Sequence, residues 1–217
     1  MIDTLIFDMD GLLIDSEPYW KLAEKEVFGN LGLNLDDELL RQVMGFRLSE
    51  VVSHWYHYKP WPNPDFTKTE QEVLECVKLL IHDHADAMPG VYETLAASKS
   101  KGFKIALASS SAMSLIEVVV EKLKIKEYFS QFISAESDEF GKPHPGIFIR
   151  TAELLGSKPA NCLVIEDSVN GMIAAKAARM QCLVVPEPEK FDDKRFELAD
   201  FKMKSLCEFN LQHICLL

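Results

Sequence analysis

The sequence lacks any apolar run near the roughly 20 residues that a membrane-spanning helix requires. It also lacks an excess of positive charge, because 23 Lys and Arg stand against 34 Asp and Glu, for a net charge of −11. Such an acidic surface repels nucleic acid and anionic lipid. Where a signal peptide would be basic and then apolar, the N-terminus carries Asp3, Asp8 and Asp10. We therefore expect a protein that binds neither nucleic acid nor membranes.

Regularly spaced cysteines are missing as well. The five cysteines are scattered and form no CxxC pair, which indicates reduced thiols rather than a disulfide framework. Together with the acidic N-terminus, they predict a cytoplasmic protein. Nothing in the sequence requires an oligomer, so a monomer is the default expectation.

What the sequence does have is an alternation of apolar strands and helices. Hydrophobic residues make up 47% of the chain, which is enough for a sizeable core. Strands are predicted at residues 4–7, 104–108, 132–134, 162–165 and 182–185, with helices at 91–101, 112–123, 146–155 and 169–178. This alternation predicts an α/β fold with a doubly wound, Rossmann-like parallel sheet covered on both faces.

Residues 16–87 interrupt the alternation. This block shows helical spacing only, with helices predicted at 18–31, 36–43, 49–56 and 67–87, and three prolines at 60–64 that prevent regular structure. We therefore predict an all-helical cap at 16–87, inserted into a core formed by 1–15 and 88–217. The cap would lie over the edge of the sheet where the strands end.

Polar residues follow four of the predicted elements at that edge. The four sets are Asp8-Met9-Asp10-Gly11, Ser109-Ser110-Ser111, Lys142-Pro143 and Glu166-Asp167. In a doubly wound sheet, the carboxyl ends of the strands form the ligand crevice. Taken singly, each set also fits a solvated turn, a helix cap, a surface lysine or an acidic first turn. The functional interpretation depends on all four falling at one edge.

Carboxylates gathered there would need a cation, and oxygen ligands without clustered His or Cys favour Mg²⁺. Asp8, Asp167 and the backbone carbonyl of Asp10 would be its ligands. Ser109 and the start of the following helix would bind an anion, and Lys142 would add a full positive charge. A site with these components is suited to phosphate.

The motifs resemble those of the haloacid dehalogenase-like phosphatases. Residues 8–17 (DMDGLLIDSE) resemble the first motif of that family, and Ser109, Lys142 within GKPHP, and Glu166-Asp167-Ser168 with Gly171 resemble the other three. The resemblance covers essentially the whole chain. Within the family it is nearest to the bacterial hexitol phosphatase and 2-deoxyglucose-6-phosphate phosphatase group of the β-phosphoglucomutase-like subfamily.

The resemblance implies a Mg²⁺-dependent hydrolysis of small sugar or sugar-alcohol phosphates. Asp8 would attack phosphorus and carry an aspartyl-phosphate, while Asp10 would serve as general acid and then base. Lys142 and Ser109 would stabilise the phosphoryl oxygens. The implied metal ligands are Asp8, Asp10, Glu166 and Asp167.

The cap would recognise the leaving group by direct contacts. We expect Arg47 to project from between two cap helices toward the sugar or phosphate, and Glu17, Ser110 and Asn170 to contact the substrate. Trp55, Tyr58 and Trp61 have two interpretations, since they could stack on a sugar or form the core of the cap.

Two other functions stay open. A β-phosphoglucomutase uses the same nucleophile and acid, but such mutases typically carry a histidine where this chain has Tyr19-Trp20. A phospho-acceptor signalling domain also combines Asp, Ser or Thr, Lys and Mg²⁺. There, however, the acidic pair comes early in the chain, whereas Glu166-Asp167 comes late, and no helical insertion is present.

Overall fold

A computed structural model describes residues 1–210. Within them lies one sheet of six parallel strands in the order β3-β2-β1-β4-β5-β6. The strands are β1 (Thr4–Phe7), β2 (Lys104–Ser109), β3 (Gln131–Ser134), β4 (Cys162–Glu166), β5 (Gln181–Val184) and β6 (Phe201–Lys202). The predicted α/β class with a parallel sheet is confirmed, and β6 is an edge strand that the prediction missed.

Helices cover both faces of the sheet. Those of the sheet layers are α5 (Val91–Ser100), α6 (Met113–Lys122), α7 (Gly146–Leu154) and α8 (Val169–Ala177). Alternate side chains of a strand point to opposite faces. Accordingly, Leu5 and Phe7 of β1 join the hydrophobic cluster that includes α5 and α6, whereas Ile6 joins the cluster that includes α7 and α8. Burial on both faces explains why β1 is a continuous apolar run.

The register of the strands brings their carboxyl ends together. Phe7, the last residue of β1, pairs with Leu107 of β2 and with Ile165 of β4. The residues that follow these positions therefore meet at one edge of the sheet, with Asp8 in the middle.

Four helices lie between β1 and α5. They are α1 (Glu17–Asn30), α2 (Asp37–Leu40), α3 (Leu48–Tyr58) and α4 (Phe66–His84). α4 packs against α1 and α3 and also contacts α6 of the sheet layer. No described helix is both long and apolar enough to cross a membrane.

Two of these helices end earlier than their patterns predict. After α2 the backbone bonds change to three-residue spacing, with Gln42 N–H donating to Leu39 O at 2.9 Å, so the helix does not reach residue 43. α4 ends three residues before 87 because Ala87 forms an antiparallel bridge with Ile14. At this bridge, the chain that leaves α4 lies beside the loop that follows β1.

Candidate active site

Lys142 occupies the centre of the polar residues at the strand edge. Its Nζ atom lies 2.8 Å from Oδ1 of Asp8 and 2.6 Å from Oε1 of Glu166, and it also donates to the Ala108 carbonyl at 3.3 Å. All three charged side chains are buried, with side-chain exposures of 4% for Lys142, 9% for Asp8 and none for Glu166. The predicted convergence of residues distant in sequence is therefore present.

Charge in this site is unbalanced. Burial raises the pKa of Asp8 to about 7, although the nearby Lys142 ammonium opposes the shift. Burial also raises the pKa of Asp167, and the Glu166 carboxylate adds to that shift. For Lys142, burial alone would lower the pKa, but Asp8 and Glu166 outweigh it and raise it above its ordinary value. One ammonium faces three carboxylates, an arrangement that a bound cation would relieve.

Those three carboxylates form a cluster with the geometry of a metal site. One oxygen from each of Asp8, Glu166 and Asp167 lies within 4.8 Å of the others. Gly11 allows the close approach, because a Cβ atom there would lie 2.3 Å from Oδ2 of Asp167 and its φ is +71°. An all-oxygen donor set fits a hard divalent cation such as Mg²⁺.

Glu166 is held on both of its oxygens by the protein. While Oε1 accepts from Lys142, Oε2 accepts from the backbone N–H groups of Asp167 and Ser168, each at 3.1 Å, and from the Ser168 hydroxyl at 2.9 Å. Ser168 also caps α8 through Gly171 N–H. A side chain at Gly171 would collide with the Glu166 carboxylate, since a Cβ there would lie 1.8 Å from Oε1.

The Asp10 carboxylate is not part of this cluster and accepts hydrogen bonds from four donors. Ser16 Oγ at 2.6 Å and Trp20 Nε1 at 3.2 Å contact Oδ1, whereas Ser111 Oγ at 2.7 Å and Ser109 Oγ at 3.3 Å contact Oδ2. The sequence patterns do not single out Ser16 or Trp20 as partners of Asp10, and they indicate Ser111 only as a member of the polar set 109–111. The spacing of Ser16 and Trp20, one helical turn apart at the start of α1, was the available signal.

The predicted substrate residues lie around one cavity of about 550 Å³ between the strand edge and helices α1 to α4. Glu17, Ser110 and Asn170 all line it, as do Asp8 and Asp10. Burial raises the pKa of Glu17, although its ion pair with Lys21 at 3.1 Å opposes the shift.

Arg47 lines the cavity too, but its guanidinium is engaged by the protein. Nη2 lies 2.8 Å from Oε1 of Glu50 and 3.4 Å from the Glu139 carbonyl, and Nη1 donates to the Asp138 carbonyl. Arg47 thus connects the start of α3 with the loop between β3 and α7, the loop that carries Lys142.

Trp55 and Trp61 of the helical segment are core residues rather than a sugar-stacking surface. Trp55 is fully buried and Trp61 is 5% exposed, and both pack against the Phe28 ring. Tyr58 is 57% exposed, and none of the three aromatic side chains lines the cavity. The stacking interpretation is therefore wrong, because Trp55 and Trp61 pack in the core against α1 and Tyr58 lies outside the cavity.

The chain matches a known enzyme family. The haloacid dehalogenase-like hydrolase family matches residues 2–179, and the chain belongs to it. The predicted family and fold are thereby confirmed.

Among individual proteins, the chain is 41% identical over 210 residues to hexitol phosphatase B of Escherichia coli (strain K12). The aligned region covers 96% of this chain and 95% of that protein. CbbY from Rhodobacter sphaeroides in complex with phosphate matches with a TM-score of 0.88 at 25% identity, covering 96% of each chain. β-Phosphoglucomutase from Clostridium difficile matches with a TM-score of 0.87 at 25% identity, covering 100% of this chain and 96% of that one.

Proposed function

We propose that the chain is a Mg²⁺-dependent phosphatase that hydrolyses small phosphorylated sugars or sugar alcohols. The main supporting observation is the placement of Lys142 between Asp8 and Glu166, beside a carboxylate cluster from which Asp10 is held apart. The similarity to hexitol phosphatase B supports the substrate class.

The metal would be held by Asp8, Asp167 and the backbone carbonyl of Asp10. Glu166, with both oxygens already engaged, would orient Lys142 and stand beside the ion rather than in direct contact. Bound Mg²⁺ would offset the carboxylate charge and the charge of the substrate phosphate.

In the proposed reaction, an Asp8 oxygen attacks phosphorus and the bond from phosphorus to the leaving oxygen breaks. Asp10 gives its proton to that oxygen and then removes a proton from the water that hydrolyses the aspartyl-phosphate. Ser16 and Trp20 orient the Asp10 carboxylate for both steps. Lys142 stabilises Asp8 as the anion and, with Ser109, donates to the phosphoryl oxygens.

Residues 16–87 would act as the cap and residues 1–15 with 88–217 as the catalytic core. The cavity between them supports this division, because both parts contribute to its lining. In this arrangement Arg47 would connect the two parts near the substrate, and Glu17, Ser110 and Asn170 would contact the leaving group or the phosphate.

A β-phosphoglucomutase activity is the second candidate, favoured by the structural match to that enzyme. Trp20 argues for hydrolysis, because its indole N–H donates to Asp10 but cannot exchange a proton as a histidine would. Conversion of glucose 1-phosphate to glucose 6-phosphate, measured against release of phosphate, separates the two activities.

The test of the proposed function is a panel of hexose 6-phosphates, 2-deoxyglucose 6-phosphate and hexitol phosphates, assayed with Mg²⁺ and ranked by kcat/KM. Phosphate release should depend on Mg²⁺ and stop in excess EDTA. If none of the esters is hydrolysed in the presence of Mg²⁺, the proposal is refuted.

We further propose that the protein is a cytoplasmic monomer. Four cysteines in the described part of the chain carry free thiols, which suits a reducing compartment, and Cys215 lies outside that part. Gel filtration with light scattering measures the oligomeric state.

A further inference from the structure

One face of α1 extends from the reacting groups into the helical part of the cavity. Glu17, Trp20, Lys21 and Glu24 all line the cavity, with the three- and four-residue spacing of neighbours on one helical face. Trp20 contacts Asp10. Glu24 lies one turn farther along the helix, about 6 Å beyond Trp20.

Glu24 is a buried carboxylate with one oxygen in use. The residue is 7% exposed, and Trp55 Nε1 donates to its Oε2 at 3.1 Å. Trp55 is itself fully buried, so this contact fixes the direction of the carboxylate. The other oxygen, Oε1, accepts no hydrogen bond from residues 1–210, and no lysine or arginine there pairs with Glu24.

This environment disfavours the ionised form of Glu24 in the protein without a ligand. Burial raises the pKa of Glu24 to about 7, which the Trp55 hydrogen bond only partly opposes. An oxygen without a protein donor, on a carboxylate that lines the cavity, is available to accept a hydrogen bond from a ligand bound there. By contrast, the neighbouring Glu17 is already paired with Lys21.

We propose that Glu24 is a specificity-determining residue whose Oε1 accepts a hydrogen bond from a hydroxyl group of the leaving sugar or sugar alcohol. This inference rests on the proposed phosphatase function and deepens it. The substrate would be a monophosphate with hydroxyl groups several bonds from the phosphorus. A second phosphate placed beside Glu24 would be repelled by its carboxylate.

The test is Glu24→Gln, which keeps an oxygen acceptor for Trp55 and presents an amide in place of the second oxygen. Sorbitol 6-phosphate and p-nitrophenyl phosphate are assayed with Mg²⁺ at pH 8, where most Glu24 is ionised. The ratio of kcat/KM for sorbitol 6-phosphate to that for p-nitrophenyl phosphate should fall about tenfold or more, the size expected for a hydrogen bond to a charged group.

Glu26→Gln is the matched control, because it makes the same change on an α1 residue that does not line the cavity. The substrate ratio of that variant should equal that of the parent enzyme. An unchanged ratio for Glu24→Gln, or an equal fall in the control, overturns the role of Glu24 while leaving the phosphatase function intact. If the parent enzyme hydrolyses neither of these esters nor any other ester of the panel, the result refutes the proposed phosphatase function itself.

Discussion

The two sides of the cavity are built by different means. At the strand edge, Asp8 and Glu166 are placed by the register of β1 and β4 and tied together by Lys142. On the helical side, Glu24 depends on a single contact with Trp55. The sheet thus fixes the groups proposed to act on phosphorus, while the helix face leaves one group free for the variable part of the substrate.

The largest loss of activity should come from a substitution at the strand edge of the cavity. Asp8→Asn removes the proposed nucleophile while keeping the size of the side chain, so turnover should be undetectable for every phosphate ester. Phosphate release under saturating substrate measures this, with circular dichroism as a check on folding. Turnover retained by a folded variant would contradict the assignment.

Lys142→Met should weaken both activity and stability. It leaves the buried carboxylates of Asp8 and Glu166 without their cation, which should cost about 3–5 kcal/mol of unfolding free energy in urea with EDTA present. Lys176→Met is the control, since its pair with Asp200 is partly exposed and should contribute no more than about 1 kcal/mol. Equal losses in the two variants would show that burial does not distinguish these ion pairs.

The contribution of Glu24, on the helical side of the cavity, to the free energy of unfolding should depend on pH. Because the folded pKa of Glu24, about 7, lies above the ordinary value of 4.5, the native state binds this proton more tightly than the unfolded chain. The resulting stability is fully present below pH 4.5 and is lost as the pH rises through 7. Glu24→Gln should therefore be more stable than the parent at pH 8, by about 3 kcal/mol, and lose this advantage near pH 4.5.

Urea unfolding of parent and variant at both pH values measures this difference. Glu26→Gln, on the exposed side of the same helix, should show no such pH-dependent gain. A Glu24→Gln variant that is equally stable relative to the parent at both pH values would exclude the raised pKa.

The smallest change in activity is expected for Arg47, which connects the helical side of the cavity with the strand edge. Arg47→Ala removes the contacts from α3 to the Asp138 and Glu139 carbonyls. The kcat/KM for sugar phosphates, relative to that for p-nitrophenyl phosphate, should fall several-fold because the helical side is less firmly placed. Lys68→Ala, an exposed change on α4, serves as control. An equal loss for both substrates would argue against selection by Arg47.

The sheet side was largely predictable, and the helical side was not. The apolar runs that become β1 and β4 end directly before Asp8 and at Glu166, and parallel strands end at one edge, so the carboxylate cluster follows from local patterns. The spacing of Ser16 and Trp20 places both on one face of α1, but their contacts with Asp10 also depend on how α1 lies over that edge, which the spacing does not determine. β6 escaped prediction because two residues are too short for a periodicity.

The bridge between Ile14 and Ala87, reinforced by Met88 N–H donating to Leu13 O at 3.0 Å, brings the two passages between sheet and helices side by side. A segment whose ends are adjacent can be cut out and rejoined without stretching the rest of the molecule. We therefore expect the proposed cap, residues 16–87, to be exchangeable among relatives, and expect such an exchange to transfer substrate preference onto the proposed catalytic sheet.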